Sequence, residues 1–543
     1  MPYSPCSFHL LAAAALLATP VAFAGVPDGS GPVHELAPAF LPTEAAAPSL
    51  PPPLSRDVPE AFRAGQNLHV LGQVAASRIA AADAEALVCP TCPEGKRQRT
   101  GFVRTLDQPI NQLGTIETPL LQNRSMWTFA VRSPGAQAVR LRFEELDLRG
   151  AAMIVWSEGV DGPIVRGAYR GQGPDDDGEL WTASVPGETI HVEIVGREAP
   201  TFTLREIVHF DRDASNPVEH NDGDGGINGN GVFSCHNDAM CYTDPDDDVA
   251  RRATGQMNFV SGGNSYVCTG TLLNDSDGDT SAPYFLTANH CLSTETEANS
   301  LEVVWLWQKS ACNGTLPDYN TLPRSTGADI LATTSVDDGN DMTFMRLDGL
   351  LPGGLAFAGW TTAHPSTGRS FHHPSGSWKR GTTFDAVGIC LYCICLDSSD
   401  FDYYKMTDGL VEGGSSGGGI FNSAGQLFGQ LYGRCGDAIS PDDMSCSNID
   451  DFAAMYGEFE ETYPEIDFWL STLGGTIWVN AAQPNLPPQN GSSVLPFDLI
   501  SEGYAAAFDG AQIKVIGGSY PGAITMTKVL TITAPNGVAV IGQ

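Results

Sequence analysis

The sequence predicts a β-rich chain of several domains, and three observations lead there. Its 543 residues exceed what one compact core accommodates, so two to four domains are expected. Sixty glycines and 37 prolines punctuate many short apolar runs, the texture of strands and turns. Polar and apolar residues alternate at period two in VRLRFEEL (139–146) and TIHVEIV (189–195), as in strands with one buried face. Hydrophobic residues at 42% against 17% charged suit globular domains and argue against global disorder.

Residues 1–24 have the pattern of a signal peptide. The alanine-rich run from Phe8 to Leu17 is followed by the small-residue cleavage pattern AFA at 22–24, and Pro20 interrupts any longer apolar span. The expected location is therefore outside the cell. Residues 25–66, rich in Ala and Pro, are expected to form a flexible leader. Strand patterning takes over across 67–212, interrupted by the turn signal DDDG at 175–178, and suggests a β-sandwich without a nucleophile, base and acid set. The Gly-, Asn- and Asp-rich stretch 213–231 is expected to be an exposed, easily cut linker. The strand pattern is densest in 232–470. A last segment, 475–543, alternates strands and turns around a helical stretch near Ile500–Phe508 and resembles the opening coil of right-handed parallel β-helix proteins.

A net charge of −35 repels nucleic acid and anionic membranes, which removes both from the expected partners. Loss of Cys6 with the signal peptide leaves twelve cysteines, ten of them in 232–470. An even set in an exported chain points to disulfides rather than free thiols or metal ligands. Cys89 and Cys92 lack a second pair at zinc-finger spacing, and Cys390, Cys393 and Cys395 also look bridged. Asp222-Gly-Asp224 lacks the terminal glutamate of a calcium loop, and DSDGD at 275–279 is a surface turn. No metal or cofactor is expected.

Peptide hydrolysis at neutral pH needs an activated nucleophile, a base, a group that orients the base, and donors for the oxyanion. YFLTANHCL (284–292) carries His290 at the point where an apolar strand meets a turn. EGGSSGGGIF (412–421) surrounds Ser416 with glycines, so the backbone can turn tightly and aim the N–H groups of Gly414 and Ser416 at one oxygen. It lacks the Lys-Ser or Lys-Thr of a phosphate-cradling loop. NDMTFMRLDG (340–349) opens with Asp341 in apolar surroundings, where a carboxylate needs a partner such as His290 Nδ1–H. Asp337, Asp338 and Asp348 are rivals in turns.

The order His, Asp, Ser in TANHC, NDMTFMRL and GSSGGG resembles the trypsin-like serine peptidases, and specifically the bacterial lysyl endopeptidase group, over about 231–470. GVFSCHNDAMC, YVCTGTLLN, SAC (310–312), FHHPSGSWKR (371–380) and MSC (444–446) extend the likeness. The resemblance implies an all-β architecture: a double β-barrel peptidase domain preceded by a β-sandwich pro-region and followed by the short β-helix-like segment. It implies a secreted, monomeric serine endopeptidase acting on protein or peptide substrates, with His290, Asp341 and Ser416 as triad. The pro-region would act as folding aid and intramolecular inhibitor of a zymogen. It further implies disulfides Cys235–Cys446, Cys241–Cys312 and Cys268–Cys291, with Cys435 joined to Cys390, Cys393 or Cys395, and structural roles for His372 and His373.

The pocket departs from the group. Ser415 precedes the nucleophile where most trypsin-like enzymes have Asp. Leu410 and Ala454 stand where acidic residues bind Lys or Arg side chains, which favours an uncharged side chain before the scissile bond. A shifted loop bringing Asp450 or Asp451 inward would instead keep lysine. Two other classes stay open: a pseudoprotease binding module, and a carbohydrate-binding or surface-attachment protein supported by the C-terminal segment.

Overall fold

The computed structural model describes residues 35–40, 50–58, 61–62, 67–86, 98–111, 113–116, 123–216, 218–220, 231–276, 282–349, 351–387, 399–436, 446–447, 449–470, 476–482, 496–507, 511–528, 530–535 and 537–542. These lie in the compact unit Val33–Gln543. The signal-peptide stretch 1–24, most of the linker, and Cys6, Cys89, Cys92, Cys390, Cys393 and Cys395 lie outside the described residues.

Short strands with one or both faces apolar close two sheets on themselves. In the first, Thr254–Ser261 pairs with Asn264–Leu272, which pairs with Tyr284–Ala288, then Met342–Leu347 and Ala328–Thr334. On its other side Thr254–Ser261 meets Glu302–Val304 and then Arg324–Thr326, so only the gap between the consecutive strands Arg324–Thr326 and Ala328–Thr334 leaves this barrel open. Met257, Phe285, Leu286, Trp305 and Phe344 fill it. In the second, Gln426–Gly436, Gly419–Phe421, Thr367–His372, Arg380–Ala386, Phe401–Asp408 and Phe452–Glu458 form a ring that returns to Gln426–Gly436. Phe384, Tyr404, Met406, Phe428 and Tyr456 fill that one. The protein is all-β, with two barrels as its centre.

Ahead of them, a six-stranded sheet built around Ser125–Arg132, Thr189–Gly196 and Ala152–Gly159 packs on Ala138–Asp147, Thr201–Phe210 and Arg99–Ile110. Phe129, Phe143, Val155, Val192 and Ile207 lie between the layers. This sandwich does not stop at its own edge. Arg99–Ile110 adds antiparallel to Asn264–Leu272 of the first barrel, giving one continuous sheet. A buried Arg140 reaches the carbonyls of Ser300 and Leu301, and Glu302 accepts from Ser184 N and pairs with Arg324. The Arg140 and Ser184 contacts are invisible to periodicity because their partners are more than a hundred residues apart.

Two pieces of the leader also pair with the barrel region: Glu35–Leu36 with Gly359–Thr361, and Ala39–Phe40 with Ala356–Phe357. Backbone pairing of this kind needs no particular side chains, so an Ala- and Pro-rich composition carries no sign of it. At the other end, Thr476–Val479, Gln512–Val515 and Thr531–Thr533 stack in parallel beside the helix Ile500–Ala506. No helix among the described residues is long and apolar enough to cross a membrane.

Disulfides join Cys235 to Cys446, Cys241 to Cys312 and Cys268 to Cys291. Cys435 is disulfide-bonded as well. Bridges of this number suit an oxidising, extracellular setting.

One charged cluster lies in the second barrel. His364 Nδ1 meets Asp402 at 3.0 Å and Nε2 meets Glu460 at 2.8 Å, with Glu458 at 3.9 Å. The atoms of His364, Asp402 and Glu458 stand close enough to hold a metal, as do those of Asp175, Asp329 and Asp348. In the first set, however, both ring nitrogens already have carboxylate partners, as an imidazolium would. The hydrogen bond to Asp402, joined by Glu460 and the nearby charges, pushes His364 up from 6.5 to about 10. Burial pushes Glu458 up from 4.5 to about 8. A raised histidine stabilises the fold fully below 6.5 and loses that contribution as pH climbs through 10. A raised carboxyl likewise penalises the fold once it ionises. The unfolding temperature is therefore expected to fall between pH 6.5 and 10, by about 1–2 kcal/mol of stability once solvent screening is allowed for. His364→Ala should flatten that slope in a thermal scan across pH; an unchanged slope in the variant would refute the assignment.

Candidate active site

His290 follows the buried strand Tyr284–Ala288 in a turn closed by Cys291 N–H on the Ala288 carbonyl at 3.1 Å. Asp341 precedes the strand Met342–Leu347, which is paired to the first, so register alone brings the two residues together. Asp341 has a left-handed backbone, φ 57°, unusual for a residue with a side chain and found where structure enforces it. Its two oxygens are divided: Oδ1 accepts the backbone N–H of His290 at 2.9 Å, and Oδ2 meets His290 Nδ1 at 2.6 Å. Both side chains are buried. Among the rivals, Asp337 and Asp338 are exposed in a turn. Tyr432 packs edge-on against the His290 ring at 5.7 Å, and burial beside the Asp341 charge pushes its phenol up to about 12.

Ser416 sits in the turn before Gly419–Phe421. Thr269, next to the bridged Cys268, holds this loop from below. Its N–H donates to the Ser416 carbonyl at 2.9 Å, its hydroxyl donates to the Gly414 carbonyl at 2.9 Å, and it accepts the N–H of His373 at 3.0 Å. Because Cys268 is bonded to Cys291, the same strand ties the serine loop to the histidine turn. Gly417 closes the gap: a Cβ there would stand 2.1 Å from Thr287 Oγ1 and 2.9 Å from Ala288 N, so the loop lies against the histidine strand only as glycine. No hydrogen bond joins Ser416 Oγ to His290 Nε2 among the described residues, and without substrate such contacts are commonly long.

The peptide planes around Ser416 are oriented from one side. The Gly413 carbonyl accepts Ser375 N–H at 2.7 Å, and the Ser415 carbonyl accepts Gly418 N–H at 3.0 Å. In a trans peptide the N–H points opposite to the carbonyl, so those of Gly414 and Ser416 face away from these partners. Neither donates to a protein acceptor among the described residues, whereas Ser415, Gly417 and Gly418 N–H all do. Gly414 reaches this orientation at φ 95°.

A buried polar chain fixes the loop further back. Thr382 Oγ1 donates to the Leu410 carbonyl at 3.0 Å, so it accepts from His372 Nε2–H at 3.0 Å. That leaves His372 Nδ1 as acceptor for the Ser415 hydroxyl at 2.8 Å, and Ser415 in turn accepts Glu412 N–H at 3.2 Å. Burial holds His372 well below 6.5, as this neutral tautomer requires. Glu412 Oε1 meets His236 Nε2 at 3.0 Å, which ties the segment just after the linker to the loop. His372 and Ser415 are thus joined to each other behind the serine loop. Sequence spacing held the residues but not their pairing.

Leu410 and Ala454 are fully buried in the second-barrel core. Asp450 is 83% exposed in its side chain and pairs with Lys405 at 3.1 Å. The side chain of Asp451 lies outside the described residues. Beside Ala454 lies a residue that the motifs did not flag, Arg434, whose Nη1 donates to the Val411 carbonyl at 3.0 Å.

Compared with known proteins, residues 230–452 match the family described as lysyl endopeptidase, C-terminal domain. A lysyl endopeptidase of Pseudomonas aeruginosa is 29% identical over 307 residues, which are 52% of this chain and 63% of that protein. The chain therefore matches under two thirds of that relative's length. Among solved structures, a thermostable serine protease from an extremophilic microorganism is 13% identical, with TM-score 0.28, covering 41% of this chain and 98% of its own. The protease Anisep from Arthrobacter nicotinovorans is 19% identical, with TM-score 0.26, covering 39% of this chain and 94% of its own.

Proposed function

We propose that the chain is a secreted serine endopeptidase made as a zymogen, with Ser416 as nucleophile, His290 as general base and acid, and Asp341 orienting the histidine. One observation carries the reading: a histidine held by carboxylate at both ring and backbone lies beside a serine loop whose Gly414 and Ser416 N–H groups have no acceptor among the described residues. Asp341 takes Nδ1–H, so His290 Nε2 is left as the acceptor that removes the Ser416 proton. The oxyanion formed on attack would be received by Gly414 and Ser416 N–H, already oriented and needing no rearrangement. His290 then returns its proton to the leaving amine, and water releases the acyl group by the same path in reverse.

The sandwich supports a pro-region role through its position. Gln98, at the start of the strand that joins the barrel, accepts Val267 N–H at 3.0 Å, and its side chain lies 3.8 Å from where a Cβ on Gly413 would stand. The upstream chain thus runs directly past the oxyanion loop, where it would obstruct a peptide. A cut within 213–231 would allow the sandwich to leave, although the shared sheet opposes quick release. A fluorophosphonate probe tests the whole reading. Labelling at Ser416, read by peptide mapping, is expected to be slow in the uncut chain and at least tenfold faster after cleavage in 213–231 and removal of the sandwich. Labelling at another serine, or none after removal, would refute it.

A further inference from the structure

The barrel edge that receives the leader has the features of a built binding site. Glu35–Leu36 adds antiparallel to Gly359–Thr361, whose other edge is paired with Gln426–Gly436, and Ala39–Phe40 adds to Ala356–Phe357. Between the two pairings the chain passes through Pro38, which has no N–H to leave unpaired. Each of the two carbonyls ahead of Pro38 meets a side-chain amide of the peptidase part. Gln426 Nε2 donates to the Leu36 carbonyl at 3.3 Å, and Asn274 Nδ2 donates to the Ala37 carbonyl at 2.8 Å. The Leu36 side chain packs against the core that contains Phe357 and Trp360.

Both amides are aimed by groups of the peptidase part alone. Asn422 Nδ2 donates to Gln426 Oε1 at 2.9 Å, and Asn422 Oδ1 accepts Gln426 N–H at 3.0 Å, so Nε2 is the end turned to the leader. Asn274 is fixed through its backbone: its N–H donates to the Ala358 carbonyl at 2.8 Å, and its carbonyl accepts Trp360 Nε1–H at 2.9 Å. Gly359 provides the room. A Cβ there would stand 2.2 Å from the Leu36 oxygen and 2.8 Å from both the Ala37 carbonyl carbon and the Pro38 nitrogen, so the leader seats only against glycine.

We infer that the peptidase part carries a second peptide-binding site, for an extended Leu-x-Pro segment, and that residues 35–40 seated there tether the pro-region after the linker is cut. The tether rests on the zymogen reading above; the site itself does not, and it shares no residue with the triad or the oxyanion donors. Added strands gain affinity from main-chain hydrogen bonds and specificity from the side chains they seat, here Leu36 and Pro38. Leader and sandwich belong to one chain on the same side of 213–231. A cut in that stretch therefore leaves the upstream chain holding the peptidase part at two places, the leader edge and the sheet between Arg99–Ile110 and Asn264–Leu272. Linked contacts support each other. While one opens, the other keeps it at high local concentration, and it closes again before both are lost. The leader thus slows departure of the sandwich without touching the catalytic residues.

The test uses the full chain carrying Ser416→Ala, which keeps self-digestion out, cut once within 213–231 by an added protease. After dilution into mild urea, loss of the sandwich is followed over time by size exclusion. Adding Gly359→Ala, Leu36→Asp, or Asn274→Ala together with Gln426→Ala is expected to speed release at least about tenfold. Should these variants not fold, the cut chain without them decides. Excess synthetic peptide spanning residues 33–41 should compete with the leader and speed release to a plateau, and the same peptide carrying Leu36→Asp should not. Release no faster in the folded variants, or two peptides that act alike, would overturn the inference. Size exclusion needs no catalysis, so a Ser416 that fails to react with fluorophosphonate in the parent chain would take down the peptidase reading and leave this result standing.

Discussion

Ser416→Ala is expected to lower peptide turnover by roughly four to six orders of magnitude while leaving the unfolding temperature within a degree or two of the parent. The small structural effect follows from the environment of the hydroxyl. Ser416 is held through its backbone carbonyl by Thr269, and its side chain makes no hydrogen bond among the described residues, so the alanine loses no partner. The large kinetic effect follows from the chemistry, since His290 then has no proton to take. Residual turnover would come from the Gly414 and Ser416 N–H groups, which the substitution keeps. Ser415→Ala is the informative neighbour. It breaks the bond to His372 and leaves a buried imidazole nitrogen unpartnered, so it should destabilise the second barrel by about 1–3 kcal/mol. Steady-state kinetics and thermal melts on both variants separate the two residues. If Ser415→Ala abolished turnover and Ser416→Ala did not, the nucleophile would be misassigned.

What the sequence made legible was local. His290, Asp341 and Ser416 each stand at the edge of an apolar strand in a short motif, and such a motif names its residue without reference to the rest of the chain. The strands themselves followed from period-two alternation, as in Ala138–Asp147 and Thr189–Gly196. What stayed hidden depends on pairing across long separations. The tie between Thr269 and Gly414, the chain from Leu410 through Thr382 and His372 to Ser415, and the approach of Gln98 to Gly413 join segments that no periodicity links. Arg434 illustrates the same limit. In sequence it is one more charged residue after a Tyr-Gly pair; only the register with Ala454 and the bond to the Val411 carbonyl show that its side chain is buried in the second barrel and not in solvent. Asp450 erred in the other direction, close in sequence to Ala454 yet turned to the surface by Lys405.

Asp341→Asn should cost about four orders of magnitude in kcat, nearly as much as losing the nucleophile, though an amide matches a carboxylate in size. The reason is the division of labour between its oxygens. In the parent, both face donors: the His290 backbone N–H at 2.9 Å and ring Nδ1 at 2.6 Å. An asparagine has one acceptor and one donor for these two places. If its oxygen keeps the backbone N–H, its NH2 faces Nδ1, which must then become the acceptor, and the proton moves to Nε2 where it blocks abstraction from Ser416. If it turns the other way, the NH2 opposes the buried backbone N–H and the histidine turn is disturbed. Either outcome disables the base, and the first does so without unfolding the site. Because Asp341 acts only through His290 on Ser416, its loss should add less than tenfold to Ser416→Ala in the double variant. Multiplicative losses would show that Asp341 has a separate function and that the three residues do not act as one unit.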